Sequence, residues 1–217
     1  FAETAARVFG NFSIKVCLDK QFVSTPMVSL GVVELEADLG VVITASHNPP
    51  SYNGYKLKSA FGGPTIPSDI ADIEAIIPDD CLGNLPSLVQ LEEKGLIEYV
   101  GLEDMYLAHV QKSFDLELIR NSNINLAYDA MYGAGQNVIR RLFPDAAMLH
   151  CEYNPSFMGQ APEPIHKNLL ELSELIKNDQ SINLGLANDG DADRIGLYNA
   201  KGEFVDSHHI LLLLLYY

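Results

Sequence analysis

Positive charge is scarce in this 217-residue sequence: 14 lysines and arginines stand against 29 aspartates and glutamates, a formal net charge of −15. Nucleic acids and anionic membranes bind through clustered cations that release counterions, so neither is an expected partner. Cysteine is scarce as well. Cys17, Cys81 and Cys151 are odd in number, scattered and in no metal-ligand spacing, which fits a reduced, cytoplasmic setting. Long apolar runs are missing: Ile210 to Tyr217 is too short to span a bilayer and reads as the start of a buried helix. No basic segment followed by an apolar one opens the chain, so no signal peptide is expected. Phe1 is not an initiator methionine, and FAETAARVFG reads as a helix entered midway. A fragment of a longer polypeptide is therefore expected.

What remains is an ordinary globular composition in a chain long enough for one large domain or two small ones. Strand and helix patterns alternate along it. Ser13–Leu18 is a short β-branched run, Thr25-Pro26 places proline at a helix start, and Val41-Val42-Ile43 reads as a buried strand. Tyr55 to Lys58 alternates as a strand, and Ser68 to Ile77 has isoleucines at helix spacing. The stretch from Asp79 to Tyr99 has weak periodicity, and the domain boundary is placed near its end. Beyond it a helix is expected over Leu102–Ile119, a strand over Ile124–Tyr128, a glycine turn at Gly133-Ala134-Gly135 and a helix through Val138, Ile139 and Leu142. Strands at Met148–Tyr153, Ile182–Ala187, Arg194–Tyr198 and Glu203–Val205 come next, with a helix over Asn168–Ile176. The expected architecture is α/β: two similar domains, 1–99 and 100–217, with mixed sheets flanked by helices. In such sheets ligands bind beyond the carboxyl ends of strands.

Two polar loops lie at strand carboxyl ends. In ITASHNPPSYNGYK, Ser46 and His47 fall just past the strand Val41–Ile43, and Pro49 and Pro50 restrict the rest of the loop. A nucleophilic serine needs a base or a positive charge nearby, and His47 and Lys56 are the candidates. Read on composition alone, the same residues also suit a polar turn that bonds its own backbone. In NDGDADRIG, Asp189, Asp191 and Asp193 stand at alternate positions, separated by the small Gly190 and Ala192. Three carboxylates so placed on a loop can converge on one hard cation, and Mg2+ takes six oxygens at about 2.1 Å. An EF-hand is excluded, because Arg194 and Ala200 occupy the positions that need glycine and glutamate. Arg194 can fork onto a phosphate. A solvated acidic turn is the plain alternative.

Asp129 with Gly133-Ala134-Gly135 follows a strand and opens a helix, but it lacks the pattern of a dinucleotide or P-loop site, and a structural role is expected. His208-His209 has no partner in metal spacing and reads as a surface helix start.

Taken whole, ITASHNPPSYNGYK closely resembles the phosphoserine signature of the α-D-phosphohexomutases, the phosphoglucomutase/phosphomannomutase family. NDGDADRIG resembles the magnesium loop of the same family, and the resemblance runs in order along nearly the whole chain. It implies that Ser46 carries a phosphoryl group, that Lys56 serves charge and proton movement, and that His47 lines the same site. It further implies that Asp189, Asp191, Asp193 and an oxygen of phosphorylated Ser46 hold Mg2+, with Arg194 on phosphate. The implied reaction interconverts hexose 1-phosphate and hexose 6-phosphate through a hexose 1,6-bisphosphate. Family members have four domains. The third and fourth, which recognise the sugar and its phosphate, are not in this sequence, nor is the first strand of the first domain. The fragment alone is expected to be inactive. The competing readings are a non-catalytic metal- and phosphate-binding module, an inert fragment of such an enzyme, and a phosphotransferase using an acidic-loop aspartate as nucleophile.

Overall fold

The computed structural model describes residues 1–217. The chain divides into two compact units, one of residues 1–22, 27–43 and 55–105, the other of residues 23–26, 44–54 and 106–217. The architecture is α/β with strands paired both ways, as the alternation of patterns predicts.

The first unit opens with α1 (Ala2–Asn11) and β1 (Val16–Leu18), and α2 (Thr25–Glu34) belongs to it from Met27 on. The β-branched run Val41-Val42-Ile43 lies in β2 (Leu39–Ile43), which pairs antiparallel with β3 (Tyr55–Ser59). α3 (Pro67–Ala75) starts on its proline and stops short of the expected end, leaving Ile76 and Ile77 exposed. The aperiodic stretch from Asp79 to Tyr99 is more ordered than its pattern implies. It forms α4 (Leu88–Glu93) and β4 (Ile97–Tyr99), and β4 pairs parallel with β1. Ala6, Leu91 and Ile97 form the core there, packed by Val16, Leu18 and Leu96. Arg7 fixes the segment before α4 by donating to the carbonyls of Leu85 and Pro86, at 2.9 and 2.7 Å.

The helix expected over Leu102–Ile119 is two helices, α5 (Leu102–Ser113) and α6 (Leu116–Arg120). Asp115 causes the break: its carboxylate accepts the Leu118 N–H at 2.9 Å and caps a new helix instead of continuing the old one.

The second unit holds a five-stranded mixed sheet in the order β6-β5-β7-β8-β9. β5 (Leu126–Asp129) lies parallel to both β6 (Ala147–Leu149) and β7 (Leu184–Asn188), while β8 (Ile195–Asn199) and β9 (Phe204–Val205) complete it antiparallel. α7 (Gln136–Leu142) connects β5 to β6, and α8 (Leu170–Asn178) precedes β7. Leu169, Leu172 and Ile176 are fully buried against Ala127, Ala187 and Tyr198. Each such side chain contributes about 1.5–3 kcal/mol of burial, which makes this face the anchor of the sheet. β6 ends earlier than expected because His150 turns left-handed (φ 47°). α9 (Ser207–Tyr216) starts where His208 and His209 give their N–H groups to the Asp206 cap, and its leucines 211–215 are exposed rather than buried. No helix is long and apolar enough to cross a membrane.

Candidate phosphoserine and metal site

The site grows from two loops of the second unit, one over residues 44–54 and one after β7. Leaving β2, the chain enters a loop closed by the Thr44 N–H on the Gly54 carbonyl at 3.0 Å. Ser46 sits within it at φ 53°, a conformation that a non-glycine residue keeps only where its surroundings hold it. Three contacts supply that hold. The Ser46 N–H donates to Thr44 Oγ1 at 2.8 Å, and the Asn48 N–H donates to the Ala45 carbonyl at 3.0 Å. The Ser46 hydroxyl donates to Asp189 Oδ2 at 3.0 Å.

The acidic loop follows β7. Its tight turn is closed by the Ala192 N–H on the Asp189 carbonyl at 3.0 Å. Asp189 Oδ1 accepts two backbone N–H groups, of Asp193 and Arg194, both at 3.0 Å. Asp191 Oδ2 accepts from the hydroxyls of Thr25 at 2.7 Å and Thr44 at 3.1 Å. One carboxylate oxygen from each of Asp189, Asp191 and Asp193 lies within 4.8 Å of the others. Arg194 Nε is 4.0 Å from Asp189 Oδ2 and 3.9 Å from Asp193 Oδ1.

Small residues let the loops meet. A Cβ on Gly190 would lie 2.6 Å from the Ser46 carbonyl oxygen, so only glycine lets the acidic loop pass beneath the serine. A Cβ on Gly133 would lie 2.8 Å from the carbonyl oxygens of Asp189 and Gly190, and the Ala134 N–H bonds the Gly190 carbonyl at 2.9 Å. The glycine turn after β5 thus lies close against the acidic loop and bonds its backbone. Asn188 ties the loop's two ends, accepting from the Tyr128 hydroxyl at 3.1 Å and donating to the Arg194 carbonyl at 2.6 Å.

The electrostatics favour a cation. Asp189 is fully buried and Asp191 nearly so. Burial, and then the neighbouring Asp191 charge, push the Asp189 carboxyl up to about 6, against the opposing pull of its hydrogen bonds. Buried carboxylates crowded together are costly as anions unless a positive charge joins them. The donor set, carboxylate oxygens beside a serine oxygen, suits a hard divalent ion, so the residues present fit a metal.

Ser46, Asp189, Asp191, Asp193 and Arg194 are therefore together, within the second unit. His47 shares the Ser46 loop, and its Nδ1 is buried with no hydrogen-bond partner. Lys56 lies on β3, paired with Val42 in the first unit. Thr25 and Thr44 escaped the sequence reading as site residues. Thr25 stands 166 positions from Asp191, and a threonine before a proline reads locally as a helix start.

Comparison with known proteins places the chain in a family. Residues 1–81 match the phosphoglucomutase/phosphomannomutase α/β/α domain I, and residues 104–202 match domain II. The chain belongs to the phosphoglucomutase/phosphomannomutase family. It is 33% identical over 205 residues to a phosphoglucosamine mutase of Methanococcus maripaludis, covering 87% of this chain and 42% of that protein. It is 31% identical to a phosphopentomutase of Thermococcus kodakarensis, covering 90% of this chain and 42% of that one. A phosphoglucomutase of Neisseria gonorrhoeae is also 31% identical, with 90% and 41% covered. A solved structure from Thermus thermophilus, described as of phosphomannomutase type, superposes with a TM-score of 0.88 at 32% identity. That match covers 99% of this chain and 49% of the other. The chain thus spans about 42% of the length of these curated relatives.

Proposed function

We propose that this chain carries the phosphoserine and metal centre of a phosphosugar mutase that interconverts hexose 1-phosphate and hexose 6-phosphate. The observation that carries the reading is the 3.0 Å contact between Ser46 Oγ and Asp189 Oδ2, inside a cluster of three carboxylates. Here a serine hydroxyl is set against buried carboxylates. That is a good place for a phosphate ester that shares a cation with those carboxylates.

Phosphorylated Ser46 gives its phosphoryl group to a hydroxyl of a hexose monophosphate. The P–Oγ bond breaks as the new P–O bond to the sugar forms, and the sugar hydroxyl's proton is balanced by the one that restores the Ser46 hydroxyl. The hexose 1,6-bisphosphate then returns its other phosphoryl group: the sugar O–P bond breaks as a new Oγ–P bond forms, and the Ser46 hydroxyl proton is balanced by the one the freed sugar oxygen takes up. Asp189, Asp191, Asp193 and an oxygen of phosphorylated Ser46 would hold Mg2+, which would supply positive charge beside the phosphoryl group. Arg194 and His47 steady the phosphates. By family resemblance, Lys56 takes part in the charge and proton movement. The sugar is selected by the chain that the longer relatives have and this sequence does not. Free Cys17, Cys81 and Cys151 suit a reduced, cytoplasmic setting.

The test is a mutase assay on the full-length protein, with glucose, mannose, glucosamine and pentose phosphates, beside its Ser46→Ala variant. Phosphoserine is read in parallel by mass spectrometry. Turnover with phosphate on Ser46, lost in the alanine variant, is expected. Full activity in Ser46→Ala would falsify the mechanism, and phosphate found on Asp189, Asp191 or Asp193 would move the nucleophile to the acidic loop.

A further inference from the structure

Two threonine hydroxyls have no part in the proposed reaction, yet they join its two halves. Thr25 is buried at the start of α2, and its Oγ1 donates to Asp191 Oδ2 at 2.7 Å. Its N–H donates to the Asp191 carbonyl at 2.9 Å, so Thr25 holds both the side chain and the backbone of that aspartate. Thr44 lies where the chain leaves β2, and its Oγ1 donates to the same Asp191 oxygen at 3.1 Å. That hydroxyl oxygen also accepts the Ser46 N–H at 2.8 Å. All four residues belong to the second unit.

A threonine hydroxyl has one proton and two acceptor lone pairs. Thr44 gives the proton to Asp191 and one lone pair to Ser46, so a single oxygen fixes a carboxylate of the acidic loop and the backbone of the serine. Ser46 is then located twice. Its side chain is set on Asp189, and its N–H is set through Thr44 on Asp191. Bonds from a hydroxyl to a carboxylate are charge-assisted and roughly twice as strong as neutral ones, so the rotamer of Asp191 is well determined. Partners behind a metal ligand orient it, and losing one lowers metal affinity about 10- to 100-fold.

We infer that Thr44 and Thr25 are positioning residues that set the Asp191 carboxylate and the Ser46 backbone in one register for cation and phosphoserine. The inference rests on the mutase reading of the site, and specifically on its metal. Both hydroxyls are spent on Asp191 and Ser46, so their loss is expected to lower kcat of the full-length enzyme while leaving KM for the sugar phosphate near its original value. A residue that only holds the fold together does not produce that split.

Isothermal titration of Mn2+ into the 217-residue chain tests the inference without turnover. The variants are Thr44→Val, Thr25→Val, Thr44→Ser and Asp189→Asn, each checked by urea denaturation. Valine keeps the shape and removes the hydroxyl, whereas serine keeps the hydroxyl. Thr44→Val and Thr25→Val are expected to bind Mn2+ about ten-fold or more weakly, with Thr44→Ser close to the unchanged chain. If Thr44→Val fails to fold, the Thr25→Val and Thr44→Ser pair carries the comparison. Unchanged affinity in the folded valine variants, with binding still lost in Asp189→Asn, overturns the positioning role and leaves the metal reading standing. Equal binding in Asp189→Asn and the unchanged chain, or no binding by either, overturns both.

Discussion

The hydroxyl of Ser46 donates to a carboxylate oxygen of Asp189 at 3.0 Å, across 143 positions of sequence. Asp189 is fully buried, and its other oxygen is occupied by two backbone N–H groups. The serine therefore meets the most buried of the three acidic side chains, in a place where added negative charge is costly without a cation. Saturating Mg2+ or Mn2+ is expected to stabilise the folded chain, because a ligand bound only to the folded state at one hundred times its Kd adds about 2.7 kcal/mol. Asp189→Asn removes that gain. Thermal melts with and without metal, at equal ionic strength, read both effects, and an equal melting shift in the two proteins counts against a metal at this carboxylate.

Gly190 is the residue on which the approach of the two loops depends. A methyl group there would sit 2.6 Å from a backbone oxygen of Ser46 and 3.0 Å from Pro162 Cγ, and neither is the end of a flexible side chain. Gly190→Ala is expected to cost about 1–3 kcal/mol, the usual range for overpacking a filled site. It should also weaken metal binding, because one loop must retreat from the other. Urea midpoints and Mn2+ titration measure the two consequences. A variant with unchanged stability and affinity shows that the loops meet less closely than described.

Much of the site was legible in sequence because its chemistry sits in two unbroken strings, one around Ser46 and one from Asp189 to Arg194. The partners of those strings were not. Thr25 and the Tyr128–Asn188 pair act across long separations, and no local pattern marks a threonine as the holder of a distant aspartate. The fold failed to show where elements are short. α4 and β4 are too brief for periodicity, although Ser87 and Gln90 form a capping box at the helix start. Asp115 likewise hides a helix break within an apolar pattern that continues across it. Short elements are set by caps and pairing partners more than by hydrophobic spacing.

The capping box offers a clean measure of how far α4 supports the first unit. Ser87 Oγ accepts the Gln90 N–H at 3.2 Å, and Gln90 Oε1 accepts the Ser87 N–H at 2.9 Å. Ser87→Ala removes the first bond and is expected to cost about 1 kcal/mol. Leu91, at the centre of α4, is almost fully buried against Ala6 and Ile97. Leu91→Ala is therefore expected to cost more, about 2–5 kcal/mol. Paired urea titrations give the ratio. A larger loss from Ser87→Ala than from Leu91→Ala means that packing does not dominate there.

His150 gives the second unit a pH dependence separate from the acidic loop. Its Nδ1 lies 3.0 Å from both oxygens of the buried Asp129, and its Nε2 lies 3.2 Å from Glu171 on α8. The hydrogen bond to Asp129 raises the His150 pKa above its ordinary 6.5 against the opposing effect of burial, and the charges of Asp129, Glu171 and Glu152 add to the rise. The folded state thus holds the proton more tightly than the unfolded chain. The stabilisation is fully present below about pH 6.5 and is lost as pH rises through the higher folded-state value. Urea denaturation at about pH 5.5 and about pH 8.5 should show this pair losing on the order of 1 kcal/mol at the higher pH, as an ion pair becomes a hydrogen bond from a neutral imidazole to the carboxylate. In His150→Asn the chain's total loss should be smaller by that amount, since asparagine can donate toward Asp129 but does not titrate, and only the pH dependence of the acidic loop should remain. Metal is left out of both experiments, so that the acidic loop contributes equally to the two proteins. If both lose the same stability between the two pH values, the pH dependence belongs to another group and the His150–Asp129 pair is no stronger folded than in the open chain.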